Sequence, residues 1–85
     1  MTITWIKTEY KGTVIEVKNS PNKCSLFVDG KTEDFYTGLF VRGDKILKAM
    51  CNGVEIKAIV KNKFTHAKIE VYYNNRLLEK KIVFI

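Results

Sequence analysis

Seven short clusters of turn-forming residues interrupt this 85-residue chain: Lys11-Gly12, Asn19-Ser20-Pro21-Asn22, Asp29-Gly30, Arg42-Gly43-Asp44, Asn52-Gly53, Asn62-Lys63 and Asn74-Asn75. Between them lie runs rich in Ile, Val, Phe, Tyr and Thr. Asn, Asp and Gly reach the positive φ that tight hairpins demand, and β-branched and aromatic residues suit a pleated, half-buried surface. Breaks about every ten residues predict an all-β fold, a small antiparallel β-sandwich or barrel of about eight short strands joined by tight hairpins. One domain over residues 1–85 accommodates them.

The spacing predicts strands over residues 2–8, 13–18, 24–28, 33–41, 45–51, 54–61, 66–73 and 76–85. Period-two alternation is cleanest after Asn52-Gly53, with Val54, Ile56, Ala58 and Val60 inward and Glu55, Lys57 and Lys61 outward. Ala67, Ile69, Val71 and Tyr73 oppose Lys68, Glu70 and Tyr72 in the same way. Ile3 and Trp5 are expected on one face of the first strand, and Thr4 and Ile6 on the other. Pro21 forbids a central strand, so residues 19–23 read as the longest early loop. Gly38, inside a predicted strand, marks an expected bulge or close backbone approach. Gly12-Thr13-Val14-Ile15-Glu16-Val17 echoes Gly53-Val54-Glu55-Ile56-Lys57-Ala58, and two stacked three-strand units would explain the echo.

Charge narrows the class of partner. The formal net charge is +6, and it is unevenly placed. Residues 1–42 hold six basic against five acidic side chains, a net +1, and residues 43–85 hold nine against four, a net +5. A basic half attracts nucleic acid or an acidic protein face, while lysine also blocks edge-to-edge pairing of strands. Thirteen of the fifteen basic residues are Lys, which argues against the bidentate readout of bases that Arg supplies. Lys80 and Lys81 precede the apolar Ile82-Val83-Phe84-Ile85 as gatekeepers of a strand expected to sit inside a sheet or to pair with a partner's edge.

Catalytic and metal groupings are absent from the pattern. His66 is the single histidine, so a two-histidine metal site cannot form, and the chain holds no HExxH, GxxxxGK[ST] or GxGxxG. Cys24 and Cys51 fall in apolar strand patterns and read as free thiols, with a Cys–His66 dyad as the one nucleophilic alternative. Glu33 and Asp34 are adjacent, and neighbours in a strand face opposite ways unless a bulge intervenes. The expectation is therefore a protein that is not an enzyme and carries no cofactor. What remains is a possible binding surface of Lys57, Lys61, Lys63, Phe64, Lys68, Tyr72, Asn74, Asn75 and Arg76. Cations beside exposed rings are what binders of single-stranded nucleic acid use; the competing reading is that Phe64 and Tyr72 cap the core edge.

Ile15-Glu16-Val17, Leu26-Phe27-Val28-Asp29-Gly30-Lys31 and Ile69-Glu70-Val71-Tyr72-Tyr73-Asn74 give the stretch from Gly12 to Leu78 a likeness to one family. It resembles the β-sandwich of the Fas apoptotic inhibitory molecules, which string strands together through a Val-Asp-Gly hairpin and a closing Asn or Asp turn. The chain is also similar to small β-rich domains of low-GC bacteria. Either likeness implies a binding or scaffold module without an assigned ligand.

The function expected is a non-catalytic protein-interaction module, self-association included. The alternative is a small basic nucleic-acid-binding domain of OB or SH3-like type. No run reaches the length of a membrane span, and the amino-terminal residues lack a signal-peptide layout, so a cytoplasmic protein is expected.

Overall fold

Six hairpins organise the chain, and four of them close on a two-residue turn with both central residues at positive φ: Lys11-Gly12, Asp29-Gly30, Asn52-Gly53 and Asn74-Asn75. That geometry matches the twist of the flanking strands. A Cβ added at Gly12 or Gly53 would meet no atom within 4 Å, so φ near +78 and not crowding selects glycine there. The computed structural model describes residues 4–38 and 43–84. Within them run β1 (Thr4–Tyr10), β2 (Thr13–Ser20), β3 (Lys23–Val28), β4 (Lys31–Thr37), β5 (Gly43–Cys51), β6 (Val54–Asn62), β7 (His66–Tyr73) and β8 (Arg76–Phe84).

The strands form two antiparallel four-stranded sheets, β1-β2-β3-β4 and β5-β6-β7-β8, each a simple meander. Expected and observed elements agree in number and nearly in bounds. Ile3, the far end of the expected 33–41 strand, Arg42 and Ile85 lie outside the described residues. The stretch read as a long loop shrinks to Pro21-Asn22, because Ser20 pairs with Lys23 and both strands run to the turn. Proline's fixed φ suits the first central position of such a turn.

The inner faces interdigitate into one core. Ile6, Ile15, Val17, Cys24, Leu26 and Val28 come from the first sheet, and Leu47, Ala49, Ile56, Ala58, Val60, Ile69 and Val71 from the second. The inward and outward assignments expected for β6 and β7 hold, with Ile56, Ala58, Val60, Ile69 and Val71 fully buried. At one end the amides of Asn19 and Asn62 join the sheets reciprocally, Asn19 Nδ2 donating to Asn62 Oδ1 at 2.7 Å and Asn62 Nδ2 to Asn19 Oδ1 at 3.2 Å. Buried amides satisfied by each other avoid the cost of unpaired polar groups.

The internal echo is larger than three strands. In both meanders the last strand, after the third turn, carries one extra residue. Leu26 pairs with Asp34 and Phe27 with Thr32, leaving Glu33 bulged, and Val71 pairs with Glu79 and Tyr72 with Leu77, leaving Leu78 bulged. In both, the third turn docks on the second strand: Asp29 N–H donates to Val14 O at 2.8 Å, and Asn74 N–H to Glu55 O at 2.9 Å. Two four-strand meanders, not three-strand units, make up the molecule. The bulge expected at Gly38 falls at Glu33, three residues past Gly30, while Gly38 follows β4 and donates its N–H to Asn22 O at 3.0 Å.

β4 lies beside β5, and β1 beside β8, yet no strand ladder crosses either seam among the described residues. Two sheets face to face, not a closed barrel, result. Side chains bridge the seams. Asp34 Oδ2 accepts from the Lys48 backbone N–H at 3.0 Å, and Lys81 Nζ donates to Trp5 O at 2.9 Å. Inward charge on an edge strand blocks pairing with another chain.

Candidate functional site: two outer sheet faces

The expected binding residues divide among three places. Lys57, Lys61, Lys68 and Tyr72 share the outer face of the second sheet, where Lys57 pairs with Tyr72 and Lys61 with Lys68. Lys63 and Phe64 belong to the β6–β7 connection at one end of the sandwich; Lys63 Nζ lies 3.4 Å from Asp44 Oδ1, and Phe64 is 89% exposed. Asn74, Asn75 and Arg76 form the β7–β8 turn at the opposite end, the full length of β7 away, roughly 25 Å. One surface cannot use all nine. Sequence distance hid this, because a hairpin brings strands together but sends its turn and its open end apart.

Around the four residues that share a face, the outer surface is mixed. The cross-strand rows read Asp44-Lys61-Lys68-Ile82, Ile46-Ile59-Glu70-Lys80 and Lys48-Lys57-Tyr72-Leu77. Glu70 is the hub: Tyr72 Oη donates to its Oε2 at 3.1 Å, and Lys68 Nζ stands 3.8 Å from its Oε1. Desolvation raises the Tyr72 phenol above its ordinary value, and the bond to Glu70 adds to the rise. Lys57 Nζ lies 5.4 Å from the Tyr72 ring centre, within cation–π range. Of nine large hydrophobic side chains exposed among the described residues, five lie on this face, all on its edge strands: Ile46, Met50, Leu77, Ile82 and Phe84. Five lysines against three acids leave the face at net +2.

The outer face of the first sheet is built of rings, and sequence reasoning missed it. Trp5, Lys18, Ser25 and Phe35 form one row across all four strands, with Lys7, Glu16, Phe27 and Thr32 in the next. Trp5 and Phe35 are about half exposed (48% and 53%). Lys18 Nζ lies 5.5 Å from the Phe27 ring centre and Lys23 Nζ 5.2 Å from that of Phe35. Exposed contacts of this kind are worth about 0.5–1 kcal/mol each. Trp5 Nε1 donates to Glu16 Oε2 at 2.6 Å, which holds the indole against β2. Alternation separated Trp5 from Thr4 and Ile6 within its own strand; register alone reveals that rings from residues 5, 27 and 35 share an outer face.

The nucleophilic alternatives do not assemble. Cys24 lies on the inner face of the first sheet, fully buried, and desolvation raises its thiol above the usual value despite a backbone bond at Tyr36 and the charge of Lys45. His66 is on the outer face of the second sheet, its ring tilted 50° to that of Phe84 with centres 5.8 Å apart, and Thr65 Oγ1 lies 3.0 Å from its Nδ1. Cys51, half-buried and not core as expected, ends β5 beside Val54, whereas His66 begins β7 at the other end of the sandwich. Both cysteines are free. The Glu33 bulge does loosen the strand rule that separates it from Asp34, but both Asp34 oxygens are engaged by backbone, Oδ1 by Phe35 N–H at 2.9 Å and Oδ2 by Lys48 N–H. Among the described residues no group of three His, Cys, Asp or Glu side chains is placed to hold a metal, and no helix is long and apolar enough to cross a membrane.

No family model, curated protein or solved structure matches the chain.

Proposed function

We propose that this protein is a non-catalytic interaction module that takes an acidic protein partner on the outer face of its second sheet. The observation that carries the reading is the pattern of that face, with Ile46 and Met50 along one edge, Leu77, Ile82 and Phe84 along the other, and Lys57, Lys61 and Lys68 between. Apolar anchors on a protein surface that otherwise favours solvent mark interaction sites, and Met and aromatic residues are enriched in them. Net positive charge sets the choice of partner. A second copy would oppose its own lysines, whereas an acidic surface is attracted and steered. The absence of an assembled Cys–His pair supports the non-catalytic part. The likeness to the Fas apoptotic inhibitory molecules, carried on the same terms, implies a module of this kind.

Two measurements test the reading. Light scattering after size exclusion is expected to give a monomer at high concentration. Capture from cognate lysate is expected to retain a protein that Ile46→Glu and Phe84→Glu release and that Phe35→Ala retains. Recovery unchanged by both glutamate variants would remove the second sheet as the docking face.

A further inference from the structure

We infer that the outer face of the first sheet is a stacking platform for single-stranded nucleic acid. The inference uses no residue of the second sheet and stands independently of the acidic-partner reading. Trp5 and Phe35 sit on opposite edge strands of one row, three strand spacings or about 14 Å apart, and Phe27 lies one row along between them. Between the two end rings the row holds Lys18 and the small, buried Ser25, so bases laid across it meet rings at both ends and a cation between.

Cations are placed with the rings. Lys18 and Lys23 hold their ammonium groups over Phe27 and Phe35, and Lys7 is exposed in the row that contains Phe27. Flexible lysine stems allow each cation to leave its ring for a phosphate when a base takes the ring face. A cation that waits over the ring and a phosphate that follows the base give complementary charge at each stacking position. Glu16, bonded to the Trp5 indole, is the one acid in these two rows. Lysine and ring faces carry no base-specific donor pattern, so binding is independent of sequence. A duplex, with its bases stacked inside, cannot use the rings. An acidic polypeptide would satisfy the lysines and leave the rings uncovered.

The single tryptophan of the chain is part of the platform and reports on it directly. Titration of the intact protein with a ten-residue oligothymidylate at 20 mM salt is expected to quench Trp5 fluorescence saturably. A ten-base-pair duplex and polyglutamate should not quench. Log affinity should fall with log salt at a slope of about 2, the value for three phosphate contacts on a single strand. Phe35→Ala, at a half-exposed position, should weaken binding by roughly 5- to 150-fold, the loss of one stacked base. Lys23→Gln should lower the salt slope by about 0.7 with the rings intact. Lys57→Gln on the other sheet should change neither. The proposal is overturned if Trp5 is not quenched at low salt, if polyglutamate or duplex quenches as well as the single strand, or if Phe35→Ala binds as the wild type does while its melting curve shows it folded.

Discussion

The first meander turns on Lys11-Gly12 where the second turns on Asn52-Gly53, and it closes on Asp29-Gly30 where the second closes on Asn74-Asn75. Ile15 and Ile56 hold matching positions, three residues past the first turn, and both are fully buried. Each meander bulges four residues past the first residue of its third turn. Outside, the likeness ends. The row Trp5-Lys18-Ser25-Phe35, with a large ring on each edge strand, has no counterpart on the second sheet, whose four-strand rows mix lysine, acid and aliphatic side chains with the one ring of Tyr72, and whose Phe84 meets His66 at one end. Turn φ and inward packing are demanded by the fold and coincide in the two halves. Outward residues answer to solvent and partners, and there the halves diverge.

The two seams diverge as well. Between β4 and β5 a carboxylate accepts from a backbone N–H, whereas between β8 and β1 an ammonium donates to a backbone carbonyl. Lysine reaches that carbonyl on a long exposed stem, while the half-buried Asp34 is held by two bonds. Asp34 is thus the better anchored of the two bridging side chains, because the Phe35 N–H of its own strand holds its second oxygen.

Three exchanges put the comparison under strain. The largest effect is expected from Ile15→Asp and Ile56→Asp, each of which places a carboxylate without a partner in the core. A domain of this size has only a few kcal/mol in reserve, so both variants should be unfolded at room temperature by circular dichroism. Lys57→Asp, on the outer face, removes a stack on Tyr72 but also relieves the Lys48–Lys57 pairing of like charges, and should stay within about 1 kcal/mol of the wild type. If Ile15→Asp melts normally while Ile56→Asp does not, the two cores are not equivalent. A smaller, unequal effect is expected at the seams. Asp34→Ala should cost about 0.5–1.5 kcal/mol for each bond lost in urea melts, because the Phe35 and Lys48 backbone N–H groups lose their acceptor. Lys81→Ala, exposed, should cost no more than about 0.5 kcal/mol, and equal losses would erase the distinction between the seams. The smallest change is at the first turn. Lys11 sits at φ 52, a conformation that asparagine tolerates better than lysine. Lys11→Asn should gain roughly 0.5–1 kcal/mol, or several degrees in Tm, and Asn52→Lys should lose a similar amount. A gain absent at Lys11 but a loss present at Asn52 would show that the two hairpins carry unequal shares of stability.

Much of the architecture was legible before any coordinates. Asn52-Gly53 and Asp29-Gly30 announce their turns, because positive φ is a property of those residues themselves. Val54 to Val60 and Ala67 to Tyr73 announce their inward faces, because strand side chains alternate whatever the neighbours are. The grouping of the candidate surface residues was legible only in part. Lys57, Lys61, Lys68 and Tyr72 were grouped correctly through adjacent strands, while Phe64 and Asn74 were drawn in by closeness in sequence although they stand at opposite ends.

The sequence by itself therefore determined the fold class, the number of strands, the four tight turns and the inner face of β6 and β7. Each follows from the φ preference of single residues or from a period of two, and both act over a few residues. Only the tertiary structure decided that the strands split into two meanders, that Glu33 and not Gly38 bulges, that Asn19 meets Asn62, and that Trp5, Phe27 and Phe35 share a face. These depend on cross-strand register and on the packing of one sheet against the other. Register is set by contacts among residues far apart in the chain, and one residue of slip would turn every side chain of a strand to the other face.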